Sequence, residues 1–306
     1  MSIVSQFNDK VNLTEIDIET LPNHKRKSAK EWSSACPQCN GEDRFLYWPA
    51  EGNYWCRQCG LSGFIGQQTQ STLTDDQRAD IERRKRQARQ AEIDQKRTAL
   101  ETLQAKRSDL TYHRNLNGQT EYVKRHWGLT DDTIDMFKVG YCHACPTSPY
   151  SDSITIPYYW DSSLINLRHR LSSPNGQGKY RPEAKGLPTA IFNADALKDE
   201  VEDHIVLVEG EFKVMVLEQN GLPAIGIPGA NIFKDKWIKL FPQNKTVYVT
   251  LDPGAEQQAL KIAKMLSNAK LPTQLVTLPT KPDDFFTLYG GTLNQFYFYL
   301  TNGRKI

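Results

Sequence analysis

Two groups of side chains in this 306-residue sequence have types and spacings suited to chemistry. The first is Cys36-Pro-Gln-Cys39 and Cys56-Arg-Gln-Cys59, two CxxC pairs with sixteen residues between them. Zn²⁺ takes four soft ligands in a tetrahedron, and two such knuckles on facing hairpins supply them at this interval. Gly41 and Gly60 stand just beyond the knuckles, where the chain has to turn around a metal. The second group is acidic. Glu209 closes the apolar run HIVLVE, Asp252 closes TVYVTLD, and Asp283 and Asp284 end TQLVTLPTKPDD. Carboxylates gathered at neighbouring strand ends offer hard oxygen ligands to Mg²⁺ or Mn²⁺, which neutralise and align phosphates in phosphoryl chemistry.

A third stretch is basic. Between Asn166 and Gly186, Arg168, Arg170, Lys179, Arg181 and Lys185 face only Glu183, a local balance of +4. Such a run suits template phosphates or a nucleoside triphosphate, and Tyr180, between Lys179 and Arg181, is placed to stack on a base. Cys142-His-Ala-Cys145 has no second pair and reads as structural.

These residues need elements to position them, and four stretches of the chain differ in texture. Residues 1–66 carry the cysteines and short aromatic strands and read as a zinc-binding ribbon. Residues 67–108 read as a charged helical linker, one helix over 74–107 without Gly or Pro, capped by Thr74, with a local balance of +4 between Asp76 and Arg107. Its apolar residues, Ile81, Ile93, Leu100 and Leu103, are too sparse for a buried helix. Residues 109–200 are mixed. Gly128 suits a helix C-cap and Thr130 the next N-cap, and SITIPYYW and SLINLRHRL pair around Asp161-Ser162-Ser163. In residues 201–306, near-continuous Val/Ile/Leu runs alternate with helical stretches, which indicates a parallel sheet flanked by helices. The fold class is therefore multidomain, α+β and α/β.

Composition narrows the function. No apolar run is long enough to span a membrane, and the acidic start is unlike a secretory leader. A net charge of +2 makes any nucleic-acid contact a matter of local patches. Six cysteines in such a chain favour a metal site over disulfides, so a cytoplasmic protein without a membrane partner is expected.

The wording of the motifs adds a resemblance. CPQCNGEDRFLYW followed by NYWCRQCGLSGF, residues 36–64, resembles the zinc ribbon at the N terminus of phage and plasmid DNA primases, including Asp43, Arg44, Phe45 and Trp55. That likeness implies a structural Zn²⁺ and contacts from Arg44 and Trp55 to single-stranded template. Residues about 204–290 resemble a Toprim domain, the Rossmann-like catalytic fold of DnaG-type primases and topoisomerases. The family's Glu falls on Glu209, the first Asp of Asp-x-Asp on Asp252, and a later acidic pair on Asp283, after Pro282. YVKRHWGLTDDTIDMFKVGY through GKYRPEAKG follows the order of the preceding part of the primase core.

The resemblance implies a primase that joins ribonucleoside triphosphates into short RNA primers on single-stranded DNA. Glu209, Asp252 and Asp283 would be catalytic and, with Asp284, would hold Mg²⁺ or Mn²⁺. A separate replicative helicase is implied as partner, since no GxxxxGK[ST] loop is present. Three positions depart from the family: Gly254 replaces the second Asp, Lys213 an acid four residues after the motif Glu, and Lys281 a further Asp. Glu211 and Glu256 are the acids that would compensate. Without compensation the chain reads instead as a non-catalytic, zinc-containing single-strand-binding replication accessory protein.

Overall fold

The computed structural model describes residues 20–64, 75–143, 152–172 and 178–306. The chain divides into two compact units, 1–88 and 89–306.

The first unit holds five short antiparallel strands in chain order: β1 (Lys25–Arg26), β2 (Trp32–Ser34), β3 (Phe45–Trp48), β4 (Asn53–Cys56) and β5 (Ser62–Phe64). Phe45, Tyr47, Cys36 and Cys56 are buried at its centre. The helix expected over 74–107 is α1, Asp75–Lys106; its cap at Thr74 lies outside the described residues. Ion pairs three and four residues apart run along it, among them Asp80–Arg84 at 2.8 Å and Asp94–Arg97 at 2.9 Å. It is not solvated throughout: Leu103 is buried against Leu164 and Leu167.

The second unit continues with α2 (Ser108–Arg114), α3 (Thr120–Trp127) and α4 (Asp131–Met136). Gly128 closes α3 in the left-handed region (φ 67°), and the Thr130 side chain accepts from the Thr133 N–H. Strands β6 (Gly140–Cys142), β7 (Ser153–Trp160), β8 (Ser163–Leu171) and β9 (Tyr180–Pro182) form an antiparallel sheet. The β7–β8 turn places Asp161 and Ser162 at positive φ, and Asp195 steadies it by accepting both N–H groups, at 2.8 and 3.1 Å.

The parallel sheet follows: β10 (His204–Glu209), α5 (Glu211–Gln219), β11 (Ala224–Ile227), β12 (Thr246–Val249), α6 (Glu256–Asn268) and β13 (Thr273–Leu275). Then come α7 (Pro282–Thr287), α8 (Leu293–Thr301) and β14 (Arg304–Lys305). The order is β11-β10-β12-β13-β14, parallel except at the β14 edge. Both faces are covered, which is why β10 reads as a near-continuous apolar run, while β12 and β13 keep half-buried positions at Thr246, Tyr248 and Gln274. Val206 and Val208 join one core with Ile154, Tyr158, Trp127 and Phe296; Ile205 and Leu207 join the other with Val249 and Ile262. Residues on both sides of position 200 thus share a core.

One half-buried acid couples this fold to pH. Glu218 Oε1 accepts from Ala224 N at 2.9 Å and Asn193 Nδ2 at 2.8 Å, and burial pushes its carboxyl up to about 7. Between the ordinary value of 4.5 and about 7 the folded chain keeps a proton that the unfolded chain releases, so stability falls as pH rises through that window. Glu218→Gln keeps the acceptor and removes the charge. Urea unfolding should show it more stable than the parent at pH 8 by up to about 3 kcal/mol, and nearly equal at pH 4.

Candidate functional site

The four knuckle sulfurs lie within 4.8 Å of one another. Cys36 Sγ is 3.7 Å from Cys59 Sγ, and Cys39 Sγ is 3.7 Å from Cys56 Sγ. With Zn–S at about 2.3 Å, a regular tetrahedron has an edge of about 3.8 Å, so the donors fit Zn²⁺. Burial pushes the Cys36 thiol up to about 12. Cys56 is also raised by burial, but backbone hydrogen bonds from Cys59 and Gln58 bring it down to about 7. Gly60 takes φ 77°, the left-handed turn after the second knuckle. Cys142 is buried, and its partner Cys145 lies outside the described residues.

The ribbon aromatics divide by face. Phe45 and Tyr47 are core, with Tyr54 packed against them. Trp55 is 45% exposed. Arg44 is exposed and pairs with Asp43 at 3.6 Å. Sequence reasoning passed over a stack on the same unit, where His24 lies parallel to Trp32 at 4.8 Å with Arg26 over the indole.

In the second unit the sheet order does what strand runs alone cannot. From β10 the chain crosses to β11 on one side and β12 is added on the other, so the topological switch falls between β10 and β12, where open α/β sheets receive ligands at their carboxyl edge. Glu209 is the last residue of β10, and Asp252 follows β12 by three residues. Asp283 and Asp284 open α7, beyond β13. Asp252 Oδ1 and Asp283 Oδ1 are buried without a hydrogen-bond donor, a setting that suits a hard cation. As placed, these acids do not form a cluster. Among the described residues, the cysteines alone bring three or more ligand atoms within 4.8 Å of one another. Lys213 Nζ stands 3.1 Å from Asp252 Oδ1, a charge contact outside hydrogen-bond geometry.

The two acids that would compensate for Gly254 and Lys213 are engaged elsewhere. Glu211, 2% exposed, accepts from Tyr158 OH at 2.5 Å and pairs with Arg168 through the same Oε1. Glu256 accepts from the Gly254 N–H at 2.8 Å, which holds the turn after Asp252.

The basic stretch is likewise split between interior and rim. Arg168 points inward to Glu211, its guanidinium 4.5 Å from the Tyr180 ring centre. Arg170 lies over Trp127 at 4.5 Å, itself stacked on Phe212 at 4.0 Å. Lys179 and Lys185 are exposed. Burial and the cations Arg170, Lys281 and Lys213 hold the Lys179 ammonium below the ordinary lysine value, so these four side chains are electrostatic neighbours. Tyr180 and Arg181 line a cavity of about 210 Å³ with Asn166, Arg168 and Ile232. A Ser153–His169–Glu183 chain resembles a nucleophile relay, at 2.9 and 2.5 Å, but Ser153 and His169 are completely buried and it is structural.

The Arg168–Glu211 pair links β8 to α5 and is costly to break from one side. Arg168→Met should lower stability by about 3–5 kcal/mol in denaturant unfolding, and adding Glu211→Leu should recover part of that loss.

The arrangement of the ribbon, the antiparallel sheet and the parallel sheet is the fold of the zinc-binding and RNA polymerase domains of DnaG-type primases. The Aquifex aeolicus primase structure of those two domains superposes with a TM-score of 0.55 at 15% identity, over 96% of this chain and 85% of that one. The E. coli primase catalytic core gives 0.52 at 15% identity, over 64% and 78%. A DnaG primase catalytic domain bound to single-stranded DNA gives 0.53 at 16% identity, over 69% and 83%. No protein-family model matches the sequence. The chain belongs to the same family as the Gene 57 protein of Mycobacterium phage D29, with 31% identity over 130 residues that make up 40% of this chain and 83% of that protein.

Proposed function

We propose that this chain is a DNA primase that synthesises short RNA primers on single-stranded DNA by metal-dependent nucleotidyl transfer. The observation that carries the reading is the placement of Glu209 and Asp252 on either side of the switch point, in a fold shared with DnaG primases and bordered by Lys179, Arg170 and Lys281.

On this reading residues 201–306 are the Toprim part, 109–200 the basic part of the polymerase core, 67–108 a linker and 1–66 the ribbon. Zn²⁺ at Cys36, Cys39, Cys56 and Cys59 is structural, and Arg44 and Trp55 meet the template. Glu209, Asp252 and Asp283, with Asp284, hold Mg²⁺ or Mn²⁺. When bound, that ion neutralises charge on the transferred phosphate and the leaving pyrophosphate. Lys179, Lys185, Arg170 and Arg181 orient the triphosphate or template strand by charge, whereas Arg168 and Tyr180 shape the wall behind it. The family of a phage protein and the ribbon's wording support a mobile replicon as origin, with a separate helicase as partner in the cytoplasm.

The test is direct. The zinc-loaded chain, given single-stranded DNA, labelled ribonucleotides and Mg²⁺ or Mn²⁺, should yield short labelled oligomers on a sequencing gel. A second reading, a single-strand-binding accessory protein, is favoured by the Lys213–Asp252 contact. It predicts DNA binding with no product under either metal.

A further inference from the structure

Asp252 leaves β12 at the switch point with a buried oxygen that no donor reaches in hydrogen-bond geometry. The charge that faces this oxygen belongs to Lys213, 3.1 Å away. The Lys213 side chain is only 14% exposed, so most of its length is withdrawn from water. It also passes over the end of β10: a Cβ on Gly210, the residue after Glu209, would stand 3.9 Å from Nζ. Lys213 therefore reaches across the crevice between the two strands that carry Glu209 and Asp252.

Its position on α5 is unfavourable for the helix itself. Lys213 lies in the first turn, at the positive end of the helix dipole, where a cation is repelled. Lys179 adds a second repulsion, since Lys213 is among the cations that hold its ammonium below the ordinary lysine value. The charge of Asp252 offsets both. The two acids that would compensate are held elsewhere, Glu211 by Arg168 and Tyr158, and Glu256 by the Gly254 N–H.

We infer that Lys213 is a resident cation: its ammonium takes, at Asp252, the place a second divalent ion would take, and so limits this edge to a single divalent ion. The inference rests on the reading of Glu209, Asp252 and Asp283 as a metal-binding edge, and it gives the Lys213 departure a role. An ammonium carries one charge and three donors, enough to balance a carboxylate and meet a phosphate oxygen. It is not a Lewis acid and cannot activate a bound water, so Lys213 positions and neutralises and does nothing more.

The experiment is Mn²⁺ binding to the zinc-loaded full chain, followed through the electron paramagnetic resonance of free Mn²⁺. Lys213→Gln should bind one more Mn²⁺ than the parent, or bind it at least about tenfold more tightly. Asp252→Asn on the Lys213→Gln background should remove that gain. Lys213→Arg keeps the charge and should bind Mn²⁺ as the parent does, with thermal unfolding checked for each variant. Unchanged Mn²⁺ binding in Lys213→Gln would overturn the inference, as would a gain that survives Asp252→Asn. Primer synthesis by the parent chain is scored separately. Its absence would count against the proposed function, while the Mn²⁺ comparison speaks to Lys213 alone.

Discussion

Glu209→Gln should reduce primer synthesis by about 10²–10³-fold or more and leave the affinity for single-stranded DNA within about twofold. The substitution keeps the size of the side chain and one acceptor oxygen, so the strand register is preserved: Glu209 pairs with Ile227 of β11 through the backbone. What it removes is one negative charge at the carboxyl edge of β10, half-buried beside the switch point. Transfer of a nucleotidyl group is governed by charge placed where charge develops, and one misplaced or missing charge in a dry site costs factors of that order. Affinity for the strand comes from lysine and arginine on phosphates, none of which Glu209 touches. Gel analysis of labelled products gives the first number and a binding isotherm at fixed salt the second. Full activity in Glu209→Gln would move the chemistry away from this edge, while a parallel loss of DNA binding would make Glu209 a structural residue.

What the sequence discloses about this site depends on how local each feature is. The zinc ligands are readable because a CxxC knuckle is a property of four residues, and Gly60 marks its turn. β10 is readable because burial on both faces makes residues 205–208 apolar without a break, whereas β12 and β13 are readable only as parts of the longer runs TVYVTLD and TQLVTL. The sheet order is not local. That β12 and not β11 lies on the Asp252 side of β10 follows from pairings such as Leu207 with Val249, more than forty residues apart. Charge counting fails for a related reason. Arg168 counts toward a basic stretch at +4, yet its guanidinium is spent on Glu211 of another element, and a one-dimensional tally contains no direction. The C-terminal segment had a legible mark that the sequence reading did not use. Thr292 and Gln295 form a reciprocal capping box, and the helix they open carries Phe296 and Leu300 into the core. Lys213 stood out in the sequence as a departure, but only the fold brings its ammonium to Asp252.

Removing the metal from the ribbon should have the other large effect, and it should be confined to one unit. The described part of the first unit has a core of four buried residues, two of which are the ligands Cys36 and Cys56. So small a core supplies little of the free energy needed to order the surrounding strands, and domains of this size fold through metal, disulfide or oligomer. Coordination of a structural Zn²⁺ is worth about 10 kcal/mol or more, and most of it becomes folding free energy. Cys36→Ser, or a strong chelator on the parent chain, should therefore lower bound zinc from one to zero per chain and unfold β1–β5. The fluorescence of Trp32, Trp48 and Trp55 in that unit would shift to the red, toward that of solvated indole. Residues 89–306 have their own two cores and no ligand among the four thiols, so a cooperative thermal transition should persist. Primer synthesis on a natural template should fall with the ribbon, while Mn²⁺ binding at the acidic edge stays. Loss of the 89–306 transition on zinc removal would show that the metal holds more of the chain together than its four ligands, all within Cys36–Cys59, account for.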